Sequence, residues 1–112
     1  MSEQRIEVSK QFSRFPAGRY YSDGPFSGQR FREEILVPAL RAEADGKIYV
    51  ILDGLMGYGS SFLEEAFGGL VRVHGFTAKE LEKRIEIVCE SDKSIIADVR
   101  EHILKARFAG PS

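Results

Sequence analysis

The chain has 112 residues, 43% of them hydrophobic and 29% charged, which suits one domain with a modest core. Sixteen Lys and Arg against 17 Asp and Glu leave a formal charge of -1, too even for a dedicated nucleic-acid binder, which needs a concentrated basic face. No apolar run approaches the roughly 20 residues that span a bilayer. The polar start "MSEQRIEVSK" lacks the apolar centre of a secretory signal, and the single cysteine, Cys89, points to a reducing cytoplasm.

In chain order, the alternation in "RIEVSKQF" predicts a first strand over residues 5–12. "FPAGRYYSDGPFSGQ" predicts a short strand near residues 19–22 and a turn at "SDGP". Phe31, Ile35, Leu36 and Leu40 then recur at helical spacing, with Pro38 expected to kink or split that helix. "KIYVILD", residues 47–53, is a nearly continuous apolar run, as expected of a strand covered on both faces. From Phe62 the apolar positions predict a helix to about Arg72, opened by a Ser61–Glu64 capping box. Glu64 and Glu65 then complement the helix dipole.

Thr77 and Glu80 form a second predicted capping box, and "RIEIVCE" a further strand with Cys89 as a buried small hydrophobe. The last amphipathic helix turns Ile95, Ile96, Val99, Ile103 and Leu104 inward. The clusters around Arg30 and Arg32, and from Lys79 to Arg84, are interleaved with glutamates and read as solvated helix faces. Alternating strands and helices predict an α/β sandwich with parallel pairing, in a single domain over residues 1–112.

The segment "DGLMGYGSSFLEEAFGG" carries the chemistry worth testing. Asp53, Gly54, Gly57 and Gly59 resemble a phosphate loop, but no Lys precedes Ser60 or Ser61, and the glycines do not fit the dinucleotide fingerprint. A hydrolase elbow needs G-x-S-x-G, and "GYGSSF" lacks it. A nucleophilic serine would need His74 or His102 beside it, and the two histidines with one distant cysteine form no metal-ligand pattern. Neither an enzyme, a metal nor a cofactor is expected. Ser60 and Ser61 instead stand where a strand ends and a helix begins, the place α/β folds use for sites and a position suited to a phosphoryl group.

The order of strand, "LDGLMGYGSSFLEEAFGGL", strand and helix resembles the STAS domain of bacterial anti-sigma factor antagonists. "SDGPFSGQRFREE" followed by "GSSFLEEAFGGL" is similar, over about residues 18–70, to the STAS-like family of unknown function. The STAS motif has Asp before its serines; Gly59 stands there in this chain, and Phe62 replaces the glycine that usually follows them. The resemblance implies a STAS-like sandwich of a mixed, partly parallel sheet with helices packed on it. It implies a regulatory, signalling module that binds a histidine-kinase-like ATP-binding protein and is switched by phosphorylation of Ser60, with Ser61 as the alternative. Phe62 and Glu64 would belong to the switch helix. Tyr21, Asp23, Ser27, Arg30 and Arg32, with Tyr20 and Phe26 beside them, are the candidate partner surface. The competing reading is a domain whose residue 54–61 loop senses a small anion or nucleotide without phosphorylation. Nucleic-acid and membrane partners are not expected.

Overall fold

The computed structural model describes residues 3–110. Strand β1 (Glu3–Glu7) runs into a helical turn, α1 (Val8–Gln11). A loop containing a tight 3-10 turn at Tyr21–Asp23 leads to helix α2, residues 28–42. Strand β2 (Lys47–Ile51) is followed by helix α3, residues 60–72. Helix α4 (Ala78–Arg84), strand β3 (Ile85–Val88) and helix α5 (Ser94–Lys105) complete the order. The strands form one three-stranded sheet in the order β1-β2-β3. Both pairings are parallel, with Ile6 beside Val50 and Ile48 beside Ile85. The sheet among the described residues is therefore parallel rather than mixed. No helix among the described residues is long and apolar enough to cross a membrane.

The first strand ends sooner than its alternation predicts, because Val8 turns into α1 and buries its side chain from there. The strand expected near residues 19–22 is the 3-10 turn, closed by Asp23, whose carboxylate accepts from the Arg19 and Tyr20 amides at 3.1 and 2.9 Å. In β2 only Ile48 and Val50 are buried, followed by Leu52 just past its end, while Lys47, Tyr49 and Ile51 are partly open. The strand is thus covered on one face, not two. The order explains this: a sheet that always steps in one direction, with right-handed crossovers, collects its connecting helices on one side. The other face is dressed by polar pairs, with the Arg5 guanidinium 5.9 Å from the Tyr49 ring centre and Lys47 3.5 Å from Glu86.

On the covered side, Phe31 of α2 and Phe62 of α3 meet Phe12 and each other, and Phe67 of α3 meets Phe31, with ring centres 5.2 to 6.4 Å apart. These rings pack over Ile48 and Val50 in one core. Both long helices widen in the middle into a π turn, Arg32–Leu36 in α2 and Glu64–Gly68 in α3. The widened turn of α2 ends just before the expected break, and Pro38 opens the ordinary turns Val37–Ala42, where the wide turn already interrupts the regular hydrogen-bond ladder. Thr77 and Glu80 form the predicted capping box. In α5, Ile95 and Val99 are buried and Ile96 and Ile103 half-buried, but Leu104 points outward.

Candidate functional site

The carboxyl ends of the three strands are crossed by the connections that leave them. Leu52 donates its amide to Val88 C=O at 2.8 Å, extending the sheet by one residue. Asp53 Oδ1 then accepts from the Ser91 amide at 2.9 Å, stapling the loop after β2 to the loop after β3. The amides of Ser91 and Glu90 hold the Asp53 carboxyl below the usual carboxylate range. Gly54 has φ +87°, and a side chain there would also crowd the Ser9 hydroxyl, so the turn requires glycine. Met56 donates its amide to Arg14 C=O at 2.8 Å.

Tyr58 donates its hydroxyl to Asp92 Oδ2 at 3.2 Å, and Asp92 Oδ1 accepts from the Ser94 hydroxyl at 2.6 Å and its amide at 3.1 Å. The Ser94 hydroxyl is the main influence holding the Asp92 carboxyl low. Burial, then the hydrogen bond to Asp92, pushes the Tyr58 phenol up. The segment is thereby pinned at both ends. Gly57 meets nothing nearby, so its small size answers no packing demand.

Gly59, not Ser61, is the N-cap of α3, in extended conformation with no side-chain hydrogen bond. Ser60 and Ser61 are the first helical residues, Ser60 exposed and Ser61 half-buried. Phe62 faces inward as expected and is fully buried. The Ser61–Glu64 capping box does not form, because the helix starts before Ser61 and Glu64 is engaged elsewhere. Nor do Glu64 and Glu65 serve as free charges at a helix end. Glu64 binds Arg19, and its two oxygens also take Arg72 at 2.8 and 3.2 Å.

Glu65 is only 3% exposed and pairs at 2.7 Å with Arg32, itself 2% exposed. The Arg32 guanidinium also donates to Glu65 C=O at 2.6 Å and to His74 Nε2 at 3.2 Å. Arg19 and Arg72 complete the second Glu65 oxygen at 3.0 and 3.1 Å. Burial alone would raise the Glu64 carboxyl; the Arg72 and Arg19 hydrogen bonds outweigh it and hold the group low. Burial, then the Arg32 charge, holds the His74 imidazole low, consistent with its accepting role. Each member of the central pair sits in a π turn, a helix distortion often retained for function.

The proposed partner surface divides. Tyr21 is exposed, hydrogen-bonded to Glu34 at 3.2 Å, and its phenol is pushed up to about 12 by burial and that carboxylate. Arg30 pairs with Glu34 at 3.1 Å near the rim, and Asp23 is exposed while closing its own turn. Ser27 is buried and caps α2 by accepting the Arg30 amide at 3.2 Å. Arg32 is the buried partner of Glu65. Neither belongs to a surface, and the reading of the two basic clusters as solvated faces fails at Arg32 and also at Arg84. Arg84 is buried and donates to the carbonyls of Leu40, Glu43 and Gly46.

Sequence reasoning missed Arg19, Glu65, Arg72 and His74 as one cluster. Only the spacing of Glu64 and Arg72 on one helix hinted at it. Neither histidine is hydrogen-bonded to Ser60, and no group of three or more His, Cys, Asp and Glu among the described residues could hold a metal ion.

A family model described as a STAS-like domain of unknown function (DUF4325) matches residues 27–94. No curated protein matches the chain, and no solved structure does. The matched stretch opens at Ser27, the cap of α2, and closes at Ser94, the first residue of α5. It holds both halves of the Arg32–Glu65 pair and the whole of the Ser60 loop. With the larger part of its length in that match, the chain belongs to the STAS-like domain family of unknown function.

Proposed function

We propose that this STAS-like domain is a regulatory protein-interaction module of the anti-sigma factor antagonist type, acting by binding rather than catalysis. Ser60 is its switch residue, and its partner is an ATP-binding kinase-like protein. The observation that carries this reading is the placement of Ser60: an exposed hydroxyl at the first residue of a helix whose next turns are buried. Met56, 67% exposed, and Tyr58 form an apolar rim on the same loop, of the kind protein partners cover.

In the switch, Ser60 Oγ attacks the γ-phosphorus of ATP held by the partner. The Oγ–P bond forms, ADP leaves, and the partner takes the hydroxyl proton. The product adds about -1.5 to -2 charge at neutral pH. That charge lies beside an apolar rim, and a partner covering the rim would have to desolvate it, so the partner is released.

The test is incubation of the chain with a co-expressed kinase-like partner and ATP, followed by intact-mass and affinity measurements. A phosphate gain abolished in Ser60→Ala, retained in Ser61→Ala, and accompanied by loss of partner affinity supports the reading. Labelling and affinity unchanged in both variants would overturn it. Calorimetric binding of a free nucleotide to the chain, with no phosphate gain, would favour the anion-sensing reading instead.

A further inference from the structure

Among the described residues, the last strand of the sheet, β3, is an edge strand with no strand paired along its outer side. The register with β2 shows which groups are left there. Ile51 is in register with Val88, and Leu52 donates its amide to Val88 C=O. In a parallel ladder this directs the amide and carbonyl of Val88 toward β2 and turns those of Ile87 outward. The Ile85 amide is used by Leu81 C=O, at the end of α4, which leaves the Ile85 carbonyl facing outward as well. Among the described residues no hydrogen bond reaches the outward Ile87 groups.

Against this edge lies an apolar groove of about 300 Å³ between α4, β3 and α5. Leu81, Ile85 and Ile87 form one wall, and Ile96, Ile103 and Leu104 the other. Leu104 is 65% exposed, a large apolar side chain held at the mouth. An edge strand with unused backbone groups beside an apolar trough is what strand addition requires: hydrogen bonds from the edge, and room for alternate side chains. β3 is short and carries one charge, Glu86, but it has neither Lys nor Pro along its edge.

We propose that the occupant is a second copy of this chain, its β3 added antiparallel across a twofold axis at Ile87. The strand "IEIV" is self-complementary in that register. Ile87 faces Ile87 of the second copy, and the two exchange amide-to-carbonyl hydrogen bonds; Glu86 falls opposite Val88, so no glutamate opposes a glutamate. The groove-side residues Ile85 and Ile87 are the apolar alternation the trough accepts. The rim also carries both signs, Glu82 against Arg100, as a contact between identical surfaces needs; a rim of one sign would repel its copy. The resulting assembly is a continuous six-stranded sheet, made of two sheets of three. The pairing residues Ile85–Val88 are not part of the residue 54–61 loop, and the test reads assembly alone, so it does not depend on the switch.

Sedimentation analysis of the purified chain across a dilution series should show a reversible species of twice 12.6 kDa. Ile87→Lys should raise the dissociation constant at least about tenfold, by burying a charge in the apolar contact. Leu104→Glu, at an exposed position where folding is not at stake, should do the same. In hydrogen exchange the Ile87 amide should be protected at high concentration and lose that protection on dilution. A 12.6 kDa species at every concentration overturns the proposal. So does a dimer that both variants leave intact, or an Ile87 amide protected only when a foreign peptide is added.

Discussion

Glu65 is the residue whose loss the molecule can least absorb. Its carboxylate is the main countercharge of Arg32, and both side chains are almost wholly buried. Glu65→Ala leaves a buried guanidinium with only the more distant Glu33, at 3.4 Å, as countercharge and should cost about 3–5 kcal/mol, read as a lower midpoint in urea unfolding. Replacing both partners together, with Arg32→Met and Glu65→Leu, should recover much of that loss, since the penalty belongs to the stranded charge. A double change as damaging as Glu65→Ala alone would show that the surrounding arginines, not the pair, carry the effect. Gly69 serves the same pair, since a methyl group built on it would overlap the Arg32 guanidinium. Gly69→Ala should therefore destabilise by about 1–3 kcal/mol, in spite of the higher helix propensity of alanine.

At the scale of elements, the two predicted capping boxes make a controlled comparison. Thr77 accepts the Glu80 amide at 3.1 Å and the Glu80 side chain returns to the Thr77 amide at 3.5 Å. Thr77→Ala should cost about 1 kcal/mol. Ser61→Ala should stay within about 0.5 kcal/mol, because Ser61 lies inside α3 and caps nothing. A loss at Ser61 equal to that at Thr77 would place the start of α3 later than Gly59. The same S-x-x-E or T-x-x-E pattern was legible at both places. What separated them was the demand on the fourth residue: among the described residues Glu80 bonds only within its own cap, whereas Glu64 is claimed by two arginines, one of them 45 residues away in the chain.

For the whole molecule, the charges inside set how stability follows pH. His74 is held below its ordinary 6.5 by burial and by Arg32, so on acidification the unfolded chain takes up that proton first. Stability from this group is complete above 6.5 and falls as the pH drops through the lowered folded value. Glu64 is held below its ordinary 4.5, so its contribution is present above that value and is lost at still lower pH. Urea midpoints should thus fall in two stages on acidification, and His74→Gln should remove the upper stage while leaving the lower one. A profile unchanged by that substitution would mean His74 is not held neutral by Arg32.

Read alone, the sequence determined the alternation of strands and helices, the existence of strands within "KIYVILD" and "RIEIVCE", the inward Phe62, the Thr77 cap and the resemblance around "GSSFLEEAFGGL". Each of these depends on side-chain periodicity or on groups a few residues apart, which the order of residues states directly. Tertiary structure alone decided that the sheet is covered on one face, that Arg32 and Arg84 are inside, and that Glu64 is bound by arginines instead of capping its helix. Those outcomes rest on which distant segments meet. The sign and strength of a charge's contribution depend on its distance to a partner and its exposure to water, and Arg32 and Glu65, 33 positions apart, acquire both only when α2 and α3 pack together.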